Sequence, residues 1–121
     1  MPIKNVLVVD DSPTDRAVVS AILTKNHYAV LMAESGEEAI ARSKQLLPDL
    51  ILMDIVMPGI NGFQATRTIV RDPATQHIPI IICTTKGQET DRTWGLRQGA
   101  RDYVIKPINA AELLGKIQAL S

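Results

Sequence analysis

Short apolar runs alternate with longer segments of helical period from one end of the chain to the other. The runs are Asn5–Val9, Tyr28–Ala33, Leu50–Met53, Ile80–Cys83 and Asp102–Ile105. Three of them are apolar nearly throughout, the pattern of parallel strands covered on both faces. Five strands alternating with five helices predict an α/β fold. Right-handed crossovers bring the strands into one open parallel sheet and place helices on both sides. A length of 121 residues suits a single core, and 45% hydrophobic residues suit a packed fold rather than a disordered chain.

The intervening segments carry helix punctuation. Ser12-Pro13 offers an N-cap followed by proline at the first helical position. Val18, Val19, Ile22, Leu23 and Asn26 follow at helical spacing. Ser35-Gly36-Glu37-Glu38 has the capping-box pattern, and Pro48 lies just past the second helix. Gly62 precedes a third helix with Phe63, Thr66, Ile69 and Val70 on one face. A fourth runs from about Glu89 to Gln98 and stops at Gly99, a helix-ending residue. Asn109 with Glu112 caps the fifth, whose Leu113, Leu114, Ile117 and Leu120 form an apolar stripe. That helix reaches the end of the sequence, so one domain over residues 1–121 with no attached output domain is expected.

In open α/β sheets, sites form beyond the carboxyl ends of the strands. Asp10 and Asp11 end the first run, Asp54 the third, Thr84 the fourth and Lys106 the fifth. Taken alone, Asp10 and Asp11 read as turn or helix-entry residues. With Asp54 and Lys106 beside them they read as a metal site. Two carboxylates about 4 Å apart repel by roughly 4 kcal/mol at an effective dielectric of about 20. Three together call for a cation, and Mg²⁺ needs only one or two carboxylates plus waters. Lys106 would pair with Asp54 at rest and with a transferred anionic group afterwards. Pro107 restricts the lysine backbone, and a cis Lys106–Pro107 bond is left open.

Thr84 and Thr85 both offer hydroxyls that could satisfy strand-end backbone groups. Thr84, directly after the apolar run, is the better placed to donate to a phosphoryl oxygen. Tyr103 reads either as part of the site or as a half-buried strand residue with a wet hydroxyl. A carboxylate nucleophile with a divalent cation, a lysine and a hydroxyl can form and stabilise an aspartyl phosphate. No GxxxxGK[ST] phosphate loop and no Ser-His-Asp set is present, and His27 and His77 read as ordinary surface residues.

Composition excludes other classes. Thirteen basic and thirteen acidic residues give zero net charge, with no basic run, so nucleic acid is not an expected partner. The apolar runs are too short for membrane insertion, which takes roughly 20 residues, and Met1-Pro2-Ile3-Lys4 is not a signal peptide. A single cysteine, Cys83, sits in an apolar run and reads as a small buried hydrophobe. A cytoplasmic protein is expected.

Val9-Asp10-Asp11-Ser12, Met53-Asp54-Ile55-Val56-Met57-Pro58-Gly59, Asn61-Gly62, Thr84 and Tyr103-Val104-Ile105-Lys106-Pro107 together resemble the receiver domain of bacterial response regulators, the CheY-like family. The resemblance covers essentially the whole chain. Asn61–Arg67, Thr84–Asp91, Trp94-Gly95 and Arg97–Tyr103 are more narrowly similar to PilH-type regulators of type IV pilus chemosensory systems. The family implies a doubly wound, flavodoxin-like (βα)5 sheet of strand order 2-1-3-4-5. It implies that Asp54 accepts a phosphoryl group from a histidine kinase or its phosphotransfer domain. Asp10, Asp11, Asp54 and the backbone carbonyl of Val56 would hold one Mg²⁺. Lys106 and Thr84 would contact the phosphoryl oxygens. Tyr103 would change rotamer as Thr84 moves, altering the face of the fourth helix, fifth strand and fifth helix that an effector reads.

The resemblance further implies that Val56 and Lys86 flank the approach of attacking water, and Thr85 is bulkier than the small residue common in the family after the switch hydroxyl. For Trp94 on the fourth helix, packing is the expected role ahead of partner contact. The function expected is a stand-alone phosphorylation switch rather than a turnover enzyme, in twitching motility or chemotaxis-like signalling. Its alternatives are a phosphate sink for a shared kinase, an aspartyl-nucleophile Mg²⁺-dependent phosphohydrolase, or a receiver-like domain that binds partners constitutively. Val56, two residues after Asp54, is not the second acid such hydrolases carry.

Overall fold

A computed structural model describes residues 2–121. Five strands and five helices alternate. They are β1 (Asn5–Val9), α1 (Pro13–Lys25), β2 (Ala29–Ala33), α2 (Gly36–Leu46), β3 (Leu50–Met53), α3 (Gly62–Arg71), β4 (Ile80–Thr84), α4 (Glu89–Arg97), β5 (Asp102–Ile105) and α5 (Ala110–Leu120). All strand pairings are parallel, in the order β2-β1-β3-β4-β5. The doubly wound order implied by the family resemblance is the order observed.

Alternation within each strand builds two cores. Val6, Val8, Leu50, Leu52, Ile81, Cys83 and Val104 face Val19 and Leu23 of α1 and Leu113 and Ile117 of α5. Their neighbours Leu7, Val9, Ile51, Met53 and Ile80 face Ala39 of α2 and Ala65 and Ile69 of α3. A smaller cluster of Ile55, Ile82, Ala100 and Tyr103, with Phe63, lies beside the second. Because both faces are covered, β3 and β4 are buried at every position.

The caps anchor the helices at the strand ends. Ser12, Ser35, Asn61 and Asn109 each accept from the backbone N–H three residues on. Among the described residues only α3 has the full reciprocal box, with the Gln64 side chain accepting from the Asn61 N–H. At Ser35 the box expected from sequence is half made, because Glu38 accepts instead from the N–H of Glu34. Gly62 is the first residue of α3 rather than its predecessor. Tyr28 stays outside β2 because its N–H closes the end of α1 on the Leu23 carbonyl. β4 continues through Thr84, and α4 ends at Arg97 with Gln98 as its cap.

Two side chains depart from their expected packing. Val18, at a helical-stripe position, is 48% exposed while its neighbour Val19 is buried. Trp94 is 49% exposed, which overturns the packing role expected of it. Gly95, the next residue, is the one that meets the sheet. A Cβ there would lie 2.7 Å from Ile82, so α4 approaches through its glycine and turns the indole outward.

Gly62 ties α3 to the segment carrying Asp54. Its N–H donates to the Ile55 carbonyl at 3.0 Å, and a Cβ would fall 2.0 Å from the Asp54 carbonyl oxygen. Backbone on both sides leaves nothing to yield. Gly62→Ala is therefore expected to destabilise the fold by about 3 kcal/mol or more. Gly115, at an exposed position of α5 with nothing within 4 Å of a Cβ, is the control, and Gly115→Ala is expected to stabilise by about 1 kcal/mol. Urea unfolding of the two variants checks both signs.

Candidate functional site

Strand order reverses at β1, whose neighbours are β2 and β3, and the crevice beyond the carboxyl ends of β1 and β3 is the ligand position of such sheets. Register brings the acids there. Val9 lies opposite Met53, and the N–H of Asp54 donates to the Val9 carbonyl at 3.0 Å, so Asp10 and Asp54 leave adjacent strands side by side. Thr84 lies opposite Ile105, and the N–H of Lys106 donates to the Thr84 carbonyl at 2.8 Å. The Lys106–Pro107 peptide bond is cis.

Lys106 reaches across this crevice. Its Nζ lies 2.6 Å from Asp10 Oδ2, 2.9 Å from Asp15 Oδ2 and 3.4 Å from Asp54 Oδ2. The expected pairing with Asp54 is present but is the longest of the three. Asp15, in the first turn of α1, had no place in the sequence reading. An acid in a first helical turn ordinarily reads as a partner of the helix dipole, and only the fold brings it to the lysine.

The remaining oxygens are also placed. Asp10 Oδ1 accepts from the Ser12 N–H, and the Asp10 carbonyl accepts from Arg16, whose guanidinium also pairs with Glu34. Asp54 Oδ1 accepts from the Ile55 N–H at 2.8 Å. Asp10 and Asp54 are buried and Asp11 is exposed. Each of the three offers a carboxylate oxygen within 4.8 Å of the others. At 4.8 Å or less, Asp10 and Asp54 repel by about 3 kcal/mol or more at an effective dielectric of about 20. An all-oxygen acidic set of this size fits a hard divalent cation.

Charge states follow from these contacts. Burial, and then the Asp10 charge, push the Asp54 carboxyl above its usual range. Lys106, the Ile55 N–H and the Thr84 hydroxyl oppose the shift without cancelling it. For Lys106, burial acts to lower the pKa, but hydrogen bonds to Asp10 and Asp15 and the charge of Asp54 outweigh it and raise the ammonium above its usual range. The two directions are compatible because Asp10 and Asp15 hold the lysine more closely than Asp54 does.

Thr84 is fully buried, and its hydroxyl accepts a long 3.4 Å contact from the Lys86 N–H. Tyr103 is 1% exposed rather than half wet, and its hydroxyl donates to the Lys86 carbonyl. Burial pushes its phenol up to about 12, so it remains a donor at neutral pH. The β4–α4 loop is thus held at Lys86 from both sides, by Thr84 and by Tyr103. Val56 is exposed beside Asp54 and carries no polar group. The Cys83 thiol, buried and pushed up to about 12, is no nucleophile. His27 and His77 are exposed surface residues, as expected. Among the described residues, no helix is long and apolar enough to cross a membrane.

Residues 6–118 match the response regulator receiver domain family. The chain is 54% identical over 115 residues to Protein PilH of Pseudomonas aeruginosa, covering 95% of each. It is 39% identical over 116 residues to the response regulator PleD of Caulobacter vibrioides, covering 96% of this chain and 26% of PleD. Its fold matches the Vibrio cholerae chemotaxis protein CheY4, with a TM-score of 0.91, 31% identity and coverage of 98% and 99%. It also matches the receiver domain of the Pseudomonas aeruginosa sensor histidine kinase PA1611, with a TM-score of 0.89, 32% identity and coverage of 97% and 96%. In that structure a magnesium ion is coordinated in the active site cleft.

Opposite substitutions test the charge balance. Lys106→Met strands Asp10 and Asp54 without their cation and is expected to cost about 3 kcal/mol. Asp54→Asn relieves repulsion and burial while leaving Lys106 two partners, and is expected to stabilise by about 1 kcal/mol. The pH dependence has a defined sign. With the folded pKa of Asp54 above the unfolded value, the folded state holds the extra proton between the two, so this group's contribution to stability falls as pH rises through that window. Urea unfolding between acid and neutral pH should show that component in the native chain and not in Asp54→Asn.

Proposed function

Because the chain belongs to the response regulator receiver domain family, we propose that it is a phosphorylation switch whose Asp54 accepts a phosphoryl group from a histidine kinase or from that kinase's phosphotransfer domain. The observation that carries this reading is the Lys106 ammonium held 3.4 Å from a buried carboxylate whose charge is only partly compensated. Such a carboxylate is a competent nucleophile, and a cation beside it can follow the charge to its product.

The Asp54 carboxylate attacks phosphorus. The bond from phosphorus to the donor imidazole nitrogen breaks, and that nitrogen leaves with the electron pair and takes up a proton. Lys106 transfers its hydrogen bond from Asp54 to a phosphoryl oxygen. Asp10, Asp11, Asp54 and the Val56 carbonyl would hold Mg²⁺, which would neutralise the phosphoryl charge when bound. Thr84 donates to a second phosphoryl oxygen with the hydroxyl proton that its accepting contact from the Lys86 N–H leaves free. Tyr103 loses its Lys86 partner if the loop moves, which couples the phosphoryl group to the α4–β5–α5 face. That face carries exposed Trp94 and Ile105, which suit an effector contact. A tenfold preference of the partner for one state takes only about 1.4 kcal/mol.

The identity to PilH over nearly its full length supports a regulator acting as a single receiver domain in cytoplasmic type IV pilus or chemotaxis-like signalling. Turnover chemistry is not favoured, because Val56 places no acid beside Asp54 for a general acid/base step.

Incubation with Mg²⁺ and acetyl phosphate, followed by intact mass, is the direct test. One phosphoryl group per chain is expected. It should be absent in Asp54→Ala and form about tenfold or more slowly in Thr84→Ala. Catalytic consumption of the donor without an adduct would favour a hydrolase, and neither adduct nor turnover a constitutive binding domain.

A further inference from the structure

We propose that Asp15 is a positioning residue for Lys106: it holds the lysine from outside the metal-ligating set, easing cation entry among Asp10, Asp11 and Asp54 and restraining the lysine after Asp54 is phosphorylated. The second half rests on the phosphorylation reading above; the first does not.

The three acids around Nζ are not equivalent. Asp10 and Asp54 have side chains only 6% and 8% exposed and belong to the cluster whose oxygens lie within 4.8 Å of one another. The Asp15 side chain is 42% exposed and lies outside that cluster. Its backbone is set by the α1 cap, where its own N–H donates to Ser12 Oγ at 3.2 Å. The carboxylate therefore reaches Lys106 from a fixed helix start, at 2.9 Å.

An ammonium has three donors, and Lys106 spends them on these three acids. A cation entering the cluster competes with Lys106 for Asp10 and Asp54. Asp15 is the one partner that the entering ion leaves behind. Without Asp15 the lysine is compensated by Asp10 and Asp54 alone and is harder to displace. A nearby negative charge that attracts the cation is lost as well. Both effects weaken cation binding.

Phosphorylation reverses the sign. The phosphoryl group and Asp15 then compete for Lys106, and their negative charges repel. Removing Asp15 lets the lysine settle fully on the phosphoryl oxygens. The same substitution should thus weaken Mg²⁺ binding and prolong the aspartyl phosphate, a pair of changes that general loosening of the site would not produce.

Asp15→Asn keeps the side-chain shape and leaves the Ser12 cap intact. Three readouts apply: Mg²⁺ affinity by calorimetry on the unphosphorylated chain, the ¹⁵N resonance of the Lys106 ammonium, and adduct half-life by intact mass after acetyl phosphate is removed. The expected result is Mg²⁺ binding weaker by about fivefold, a shifted Lys106 resonance without Mg²⁺, and a half-life longer by about threefold, with Asp15→Glu restoring each in part. Unchanged Mg²⁺ affinity and an unmoved Lys106 signal would overturn the proposal, as would weaker Mg²⁺ binding together with a shortened half-life. If the native chain takes no adduct, the phosphorylation reading fails, while the first two readouts still decide whether Asp15 positions the lysine.

Discussion

A single ammonium group reconciles the charges of this site. Lys106 stands among Asp10, Asp15 and Asp54 with side-chain exposure of 11%, where an unpaired cation would be as costly as the unpaired acids. Each partner is brought by a different strand end or helix start. The ion cluster therefore exists only when β1, β3 and β5 are in register and α1 is docked. Much of the architecture serves that condition: flush strand ends, helices capped at the crevice, and Gly62 locking α3 against the Asp54 backbone.

The same cluster is incompletely neutralised, and the proposed phosphorylation would draw on that. Asp10 and Asp54 repel, burial adds to the cost, and one lysine shared among three acids leaves Asp54 with its pKa raised. The surrounding apolar sheet, with β3 and β4 buried throughout, tolerates this local deficit. What is unfavourable at rest would become favourable on adding a divalent cation, which brings a partner for the carboxylate charge that lacks one. A site optimised for stability would have satisfied the Asp54 carboxylate.

The loop after β4 carries the other half of the design. Thr84 and Tyr103 both contact Lys86, one through a long bond and one through a short bond to its carbonyl. Thr84 and the buried Tyr103 are thus linked by hydrogen bonds around one residue, and Gly95 of α4 lies against the Tyr103 ring. Rearranging them needs no unfolding of a core, which suits a switch between two arrangements of similar energy.

The (βα)5 alternation, the helix caps at Ser12, Ser35 and Asn109, and the gathering of reactive side chains at the carboxyl ends of the runs were legible in the amino-acid order, because strand and helix periods and cap chemistry are local; the Asn61 cap of α3 was not read. The convergence of Asp10, Asp54, Thr84 and Lys106 followed from topology alone. Asp15 was not legible, since an acid at a helix start has an ordinary local explanation and its lysine lies 91 residues away. Nor was the burial of Tyr103, the exposure of Trp94 and Val18, or the half-made box at Ser35. Those depend on how closely each helix seats on the sheet and which side chains a neighbour leaves room for. The sequence by itself determined which elements form and which reactive groups meet at one edge. Tertiary structure decided which pairs actually touch and which side chains face water, because contact distances are set by packing between elements far apart in the chain.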